Sequence, residues 1–219
     1  PEPGPLRDSY DVVIIGGGGH GLGAAYYLAK EHGITNVAVL EKGYLGRGGT
    51  GRNTAIVRSN YLTPQGAEFY QASVDLFQGL SRELDLNLFY SERGHFTLAH
   101  SQASLRTQRW RAEVNKQLGI DSELVTPAEI KQMVPEIDLQ CGGDQPPIHG
   151  ALYHPPGAIA RHDAVAWGYA RGAGQRGVEI HQQTAVTGIE VRDGAVCGVH
   201  TDKGFVKTQK VLSAVAGWT

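Results

Sequence analysis

The stretch Asp11-Val-Val-Ile-Ile-Gly-Gly-Gly-Gly-His-Gly21 decides the fold of this chain. Its apolar, β-branched-rich half predicts a strand, and the strand runs into a G-x-G-x-x-G turn at Gly16, Gly18 and Gly21. A helix-like segment follows, and a second apolar run, Val37-Ala-Val-Leu-Glu41, ends in an acid. A Gly-rich turn alone is weak evidence. Strand, turn, helix, strand and acid in register predict a dinucleotide-binding Rossmann unit.

Each part of this unit has a physical task. Gly16 permits the tight turn, Gly18 lets backbone amides approach a pyrophosphate, and Gly21 allows close packing of helix on strand. The helix N-terminus offers unpaired N–H groups and partial positive charge to the phosphates. Glu41 can accept hydrogen bonds from both hydroxyls of the adenosine ribose. A purely structural Gly-rich turn would leave Glu41 unexplained.

The residues after Glu41 favour FAD over NAD. Lys42-Gly43 and then Gly46-Arg-Gly-Gly-Thr-Gly-Arg-Asn53 form a small, Gly-rich loop with Arg and Asn. This loop resembles that of the FAD-dependent amine oxidoreductases of the D-amino-acid oxidase type, in which it wraps a flavin. An NAD domain would continue into another parallel strand-helix repeat, whereas this chain departs from that pattern at about Asn60 and returns late.

Composition sets the broad class. The 219 residues are 41% apolar and 19% charged with a net charge of −2, an ordinary soluble globular balance that argues against nucleic acid or an anionic membrane as partner. No apolar run reaches the length of a membrane span, and the N-terminus lacks a signal-peptide profile. Isolated Cys141 and Cys197 suggest neither disulfides nor a metal site, so we expect a cytoplasmic protein without metal.

Both ends of the sequence look cut, and we expect a complete enzyme to continue for roughly as many residues again.

The rest of the chain predicts a two-domain architecture of the α/β class with an α+β insertion. Residues 1–60 and 158–219 are predicted to form a discontinuous Rossmann-like FAD-binding domain, with a parallel sheet, a β-meander and its C-terminal part missing. Residues 61–157 are predicted to form part of an antiparallel-sheet substrate or cap domain. The predicted helices are 22–31, 64–85, 101–118, 127–134 and 162–176, and a capping box at Thr126-Pro-Ala-Glu129 opens the fourth. The predicted strands are 11–15, 37–41, two within 88–100 that are joined at Arg93-Gly94, 178–181, three in the meander over 184–204, and 211–216. Residues 135–150 are predicted to form a loop rich in Pro and Gly.

Four segments make the resemblance more specific. Residues 11–21, 33–43, Arg52-Asn-Thr-Ala-Ile-Val-Arg-Ser-Asn-Tyr-Leu62 and Arg161-His-Asp-Ala-Val-Ala-Trp-Gly168 resemble the β-subunit family of heterotetrameric sarcosine oxidases. The last two segments are much more specific than the Gly-rich turn. The resemblance covers nearly the whole chain and about the first half of such a subunit.

The resemblance implies a flavin-dependent oxidation of sarcosine to glycine and a one-carbon unit. It implies non-covalent FAD, a covalent FMN shared at the subunit interface where O₂ is reduced to H₂O₂, and partner subunits α, γ and δ with tetrahydrofolate on α. His162 lies in the segment that carries the covalent FMN histidine in the family, with Arg161 beside it. Two other classes of protein stay open. The first is another amine-oxidising flavoenzyme, either a single-chain oxidase of the glycine or monomeric sarcosine oxidase type or the flavin subunit of a dimethylglycine or proline dehydrogenase. The second is a non-catalytic subunit that only relays electrons.

The candidate site residues follow from the motifs and the resemblance together. Substrate ligands and bases are expected mainly in the missing half. Arg58 is the candidate within this chain, because a cation between apolar neighbours needs a partner if it is buried, and the flavin or the substrate carboxylate could be that partner. His20 is predicted to contact the cofactor through its backbone rather than through its imidazole ring. The side chain could almost equally be one that the start of the helix merely tolerates. The residues predicted to contact FAD are Gly16, Gly18, Gly19, His20, Gly21, Glu41, Lys42, Thr50, Gly51, Arg52, Asn53, Val186, Ala216 and Gly217.

Overall fold

The computed structural model describes residues 4–143 and 145–217. The helices are α1 (Gly19–His32), α2 (Pro64–Glu83), α3 (Gln102–Gln117), α4 (Pro127–Met133) and α5 (His162–Gly174). The strands are β1 (Val12–Ile15), β2 (Val37–Leu40), β3 (Ile56–Val57), β4 (Ser91–Glu92), β5 (His95–Ala99), β6 (Glu123–Val125), β7 (Gly150–His154), β8 (Ala158–Ile159), β9 (Glu179–His181), β10 (Val186–Arg192), β11 (Ala195–Thr201), β12 (Gly204–Lys207) and β13 (Val211–Ser213).

The chain divides into two compact units. The first comprises residues 1–54, 82–88 and 161–219, and the second comprises residues 55–81 and 89–160. The predicted boundaries at 60/61 and 157/158 lie a few residues away, and residues 82–88 return to the first unit. The predicted domain assignment remains a prediction.

The first unit is built on a parallel sheet in the order β13-β1-β2-β9. Its strands β1 and β2 are almost entirely buried, which explains why they are continuous apolar runs rather than alternating ones. Helix α1 packs against α5, where a Cβ on Gly172 would lie 2.7 Å from the Tyr26 ring, so glycine permits this close approach. The antiparallel meander β10-β11-β12 completes the unit. The predicted parallel sheet and meander are therefore confirmed.

The second unit contains two antiparallel sheets of three strands, in the orders β3-β8-β4 and β5-β7-β6. Apolar side chains of the second sheet and α4 share a core around Val125, Ile130 and Ala151. Ser101 begins α3 by accepting a hydrogen bond from the Ser104 N–H, and α4 begins with the predicted capping box.

Two predictions for the second unit are wrong in detail. The two strands predicted within 88–100 exist, but β4 pairs with β8 and β5 with β7, so Arg93-Gly94 leads from one sheet to another. Strand β7 was not predicted, although the preceding segment was correctly predicted as a loop. β7 is the central strand of its sheet and four of its five residues are buried, so it carries no polar–apolar alternation.

No helix in the described part of the chain has the length and apolar character needed to cross a membrane.

Candidate cofactor-binding site

The turn between β1 and α1 has no room for a side chain at two glycines of the motif, Gly16 and Gly21. Gly16 has φ +109°, and a Cβ there would lie 2.7 Å from the Ala214 carbonyl oxygen at the end of β13. A Cβ on Gly21 would lie 2.0 Å from the Gly16 carbonyl oxygen. Gly18 precedes α1 without a side-chain cap, and no acid occupies the first turn. The helix N-terminus therefore presents the positive end of its dipole to an anion, while the N–H of its first residue, Gly19, already has a protein partner.

Glu41 follows β2 and is fixed against this turn by two backbone groups. Its Oε2 accepts a hydrogen bond from the Gly17 N–H at 2.8 Å, and its Oε1 accepts one from the Gly43 N–H at 2.7 Å. Each carboxylate oxygen can accept a further hydrogen bond, as a ribose diol requires. Gly17 was not predicted as a site residue. A Cβ there would lie 2.9 Å from that of Glu41, and the run of four glycines, longer than the motif requires, was its signal in the sequence.

The loop after Glu41 is anchored on the same turn. Gly46 donates a 2.9 Å hydrogen bond to the Gly17 carbonyl, and Thr50 Oγ1 accepts one from the Gly19 N–H at 2.9 Å. Thr50 lies in a 3₁₀ turn, Gly49–Arg52, which the Asn53 amide closes with a 2.6 Å bond to the Thr50 carbonyl. Asn53 thus has a structural contact besides the FAD role predicted for it.

The remaining predicted FAD residues differ in their surroundings. His20, Lys42, Gly51, Arg52, Ala216 and Gly217 are exposed. A Cβ on Gly51 would lie 2.5 Å from the Gly46 carbonyl oxygen, so this position also excludes a side chain. Ala216 has φ +53°, a turn conformation unusual for a non-glycine residue. Val186 opens β10 and packs on the apolar cluster that includes Leu40, directly before Glu41.

His162 is the first residue of α5, and Arg161 is its N-cap. Arg161 Nε donates a 2.9 Å hydrogen bond to Asp163 Oδ1, which also accepts one from the Ala164 N–H. The Arg161 contact is the main reason that the pKa of Asp163 lies below its usual value. The Nδ1 atom of His162 is buried and has no hydrogen-bond partner among the described residues. Buried polar atoms normally have a hydrogen-bond partner, and a ligand bound at the start of α5 would supply one for this nitrogen.

Arg58 lies in the second unit, directly after β3. Its Nη1 donates a 2.8 Å hydrogen bond to Asn60 Oδ1, and its guanidinium carbon lies 4.5 Å from the centroid of the Tyr61 ring. Within residues 4–143 and 145–217, no carboxylate forms an ion pair with Arg58. The guanidinium is partly buried, so it is suited to an incoming anion. The described residues contain no group of His, Cys, Asp and Glu side chains arranged to hold a metal ion.

Comparison with known proteins agrees with this geometry. The model of the family "FAD dependent oxidoreductase" matches residues 11–219. The chain is 49% identical to sarcosine oxidase subunit beta of Rhizobium meliloti over 99% of its own length and 51% of the relative's. It is also 49% identical to the subunit of the same name from Arthrobacter sp, again over 99% of its length and 53% of the relative's. The chain thus spans about half the length of these relatives.

A solved structure of L-proline dehydrogenase from P. horikoshii superposes with a TM-score of 0.87 at 27% identity, covering 96% of this chain and 54% of that one. The predicted fold class is confirmed by these matches.

Proposed function

Because the chain belongs to the FAD dependent oxidoreductase family, we propose that it forms about half of the FAD-binding subunit of a multi-subunit sarcosine oxidase. The observation that carries the substrate assignment is the 49% identity to two sarcosine oxidase β subunits along nearly the whole chain. The products would be glycine, a one-carbon unit and H₂O₂. The cytoplasm is the proposed location.

The β1–α1 turn, Glu41 and the loop to Asn53 would hold FAD without a covalent bond. The N-terminus of α1 would face the pyrophosphate, and the Glu41 carboxylate, already oriented by Gly17 and Gly43, would accept the ribose hydroxyls. When bound, FAD is the acceptor of the hydride equivalent that leaves the amine substrate. Arg58, which has no carboxylate partner in the described residues, would bind the carboxylate of sarcosine.

His162 would carry a second flavin, FMN, through a covalent bond from a ring nitrogen, with Arg161 nearby. The buried Nδ1 without a partner supports this assignment, as does the position of the residue at a helix N-terminus, which suits an anionic group. The proposed partners are the α, γ and δ subunits, with tetrahydrofolate on α, together with O₂.

The function is tested on the full-length subunit produced with its partner subunits. Sarcosine added without oxygen should bleach the flavin absorbance, and readmitted O₂ should yield one H₂O₂ per sarcosine. Glycine, dimethylglycine and L-proline serve as comparison substrates. Activity of the isolated subunit would instead indicate a single-chain oxidase, and flavin that sarcosine cannot reduce would indicate an electron-relay subunit.

The FMN attachment has a separate test. Acid precipitation and proteolysis of the assembled enzyme should give a yellow peptide that contains His162 and has gained the mass of FMN. The variant His162→Ala should lose this peptide, whereas His32→Ala, a change at the exposed end of α1, should retain it. A His162 peptide of unmodified mass from a complex that still contains FMN would show the assignment to be wrong.

A further inference from the structure

Asn60 joins two arginines that lie far apart in the sequence. The residue is completely buried. Its side-chain Oδ1 accepts the 2.8 Å hydrogen bond from Arg58 Nη1, and its backbone carbonyl accepts one from Nη2 of Arg111 on α3. The orientation of the Arg58 guanidinium therefore depends directly on Asn60, and the position of Asn60 depends on Arg111.

The residues on both sides of Asn60 are also held in place. Ser59 Oγ donates a 2.6 Å hydrogen bond to Gln71 Oε1 of α2, and the Ser59 N–H lies 3.3 Å from Nε2 of His154 at the end of β7. His154 Nδ1 lies 2.5 Å from the carbonyl oxygen of Asp121. Because a carbonyl only accepts, Nδ1 carries the proton and Nε2 is left to accept from Ser59. Burial lowers the pKa of His154, which agrees with this neutral tautomer.

This arrangement gathers donors and positive charge in one place. Burial, and then the charge of Arg58, hold the pKa of Arg111 below its usual value. The Nδ2 atom of Asn60 and the Nε atom of Arg111 are buried, and each lacks a hydrogen-bond partner among the described residues. Two neighbouring positive guanidinium groups repel each other, and buried donors without partners add a desolvation cost. An anion bound nearby would offset both destabilising effects.

We propose that Asn60 and Arg111 are positioning residues that set the Arg58 guanidinium for the carboxylate of the amine substrate. This inference rests on the proposed function, in which Arg58 binds that carboxylate. Arg111 fixes the backbone of residue 60, and the amide oxygen of Asn60 then orients Arg58. Because this oxygen is uncharged, it leaves the positive charge of Arg58 available to the substrate carboxylate. Neither residue is required to touch the substrate.

The decisive variant is Asn60→Asp in the full-length subunit assembled with its partners. Aspartate keeps an oxygen acceptor for Arg58, so a merely structural role of Asn60 would be preserved. Its added charge would pair with Arg58 and compete with the substrate carboxylate. We expect the KM for sarcosine and the Kd for acetate, measured by calorimetry, to rise about 10-fold or more, with little change in kcat or thermal stability. The KM for N-methylethylamine, which has no carboxylate, should stay the same.

A second pair of variants tests the role of Arg111. Arg111→Gln should weaken acetate binding about 10-fold, and Arg109→Gln, at an exposed position on the same helix, should leave it unchanged. Acetate affinities of Asn60→Asp and Arg111→Gln within about twofold of the wild type would overturn the inference.

The acetate measurement also separates this inference from the proposed function. If the wild-type enzyme does not oxidise sarcosine, the proposed function fails, while loss of acetate binding in the variants still supports the positioning role. If Arg58→Gln weakens sarcosine binding but the Asn60 and Arg111 variants do not, only the positioning role is wrong.

Discussion

The backbone N–H of Gly17 donates a 2.8 Å hydrogen bond to Oε2 of Glu41. This bond connects the Gly-rich turn after β1 directly to the acid after β2, across neighbouring parallel strands. With the Gly43 N–H on Oε1, it holds both carboxylate oxygens in place. A preorganised acceptor loses little conformational entropy when it binds a diol.

Glu41→Gln should therefore weaken FAD binding. Glutamine offers one acceptor oxygen, so either Gly17 or Gly43 would face an NH₂ group, and the ribose would lose a charged acceptor. Hydrogen bonds to charged groups contribute about 1.5–3 kcal/mol, so we expect the Kd for FAD to rise roughly 10- to 100-fold in a fluorescence titration of the full-length apoprotein. Glu31→Gln, at an exposed position on α1, is the control. Unchanged FAD affinity in Glu41→Gln would contradict the ribose assignment.

Gly21→Ala should destabilise the first unit and abolish FAD binding. The new Cβ would lie 2.0 Å from the Gly16 carbonyl oxygen, and because both atoms belong to the backbone of one tight turn, the turn must shift. We expect the free energy of unfolding to fall by about 3 kcal/mol, measured by urea denaturation.

Gly23→Ala is the matched control two residues further along α1. The nearest atoms to its Cβ would belong to the Tyr169 ring, the first at 3.7 Å, which is an ordinary contact. Alanine is a better helix former than glycine, so stability should rise by up to about 1 kcal/mol and FAD should still bind. Equal stabilities of the two variants would show that the close approach at Gly21 is not important.

The sequence correctly predicted the structural elements whose motifs lie within a short segment of the chain. The Rossmann start, the meander and the cap of α4 each depend on residues within a short segment, and the structure contains all three. The interaction of Asn60 with Arg111 could not be predicted, because it joins residues 51 positions apart. Arg111 lies on a helix rich in Arg and Gln, where a guanidinium is expected to be solvated. Likewise, no periodicity reveals which strand pairs with β5.

Thr126→Ala should weaken the second unit by removing a helix cap. Thr126 Oγ1 accepts a hydrogen bond from the Glu129 N–H, and Glu129 Oε2 accepts one from the Thr126 N–H at 2.7 Å. Loss of such a cap costs about 1 kcal/mol of unfolding free energy. Thr107→Ala is the control, because this threonine lies inside α3 and its hydroxyl bonds to the Ala103 carbonyl. It should leave stability unchanged or slightly higher, and an equal loss in both variants would rule out capping as the cause.

His95 should make the protein less stable in acid. Burial, followed by the charge of Arg58, lowers its pKa from 6.5 to about 4. As the pH falls below 6.5, the unfolded chain takes up a proton that the folded chain does not, so stability present above pH 6.5 is lost progressively down to about pH 4. In His95→Gln, the unfolding free energy, measured by urea denaturation between pH 7 and 4.5, should fall less steeply than in the wild type. The lowered pKa of His154 leaves part of the slope in place. The exposed control His32→Gln should follow the wild-type curve, and a His95→Gln curve parallel to that of the wild type would show that His95 is not the group responsible.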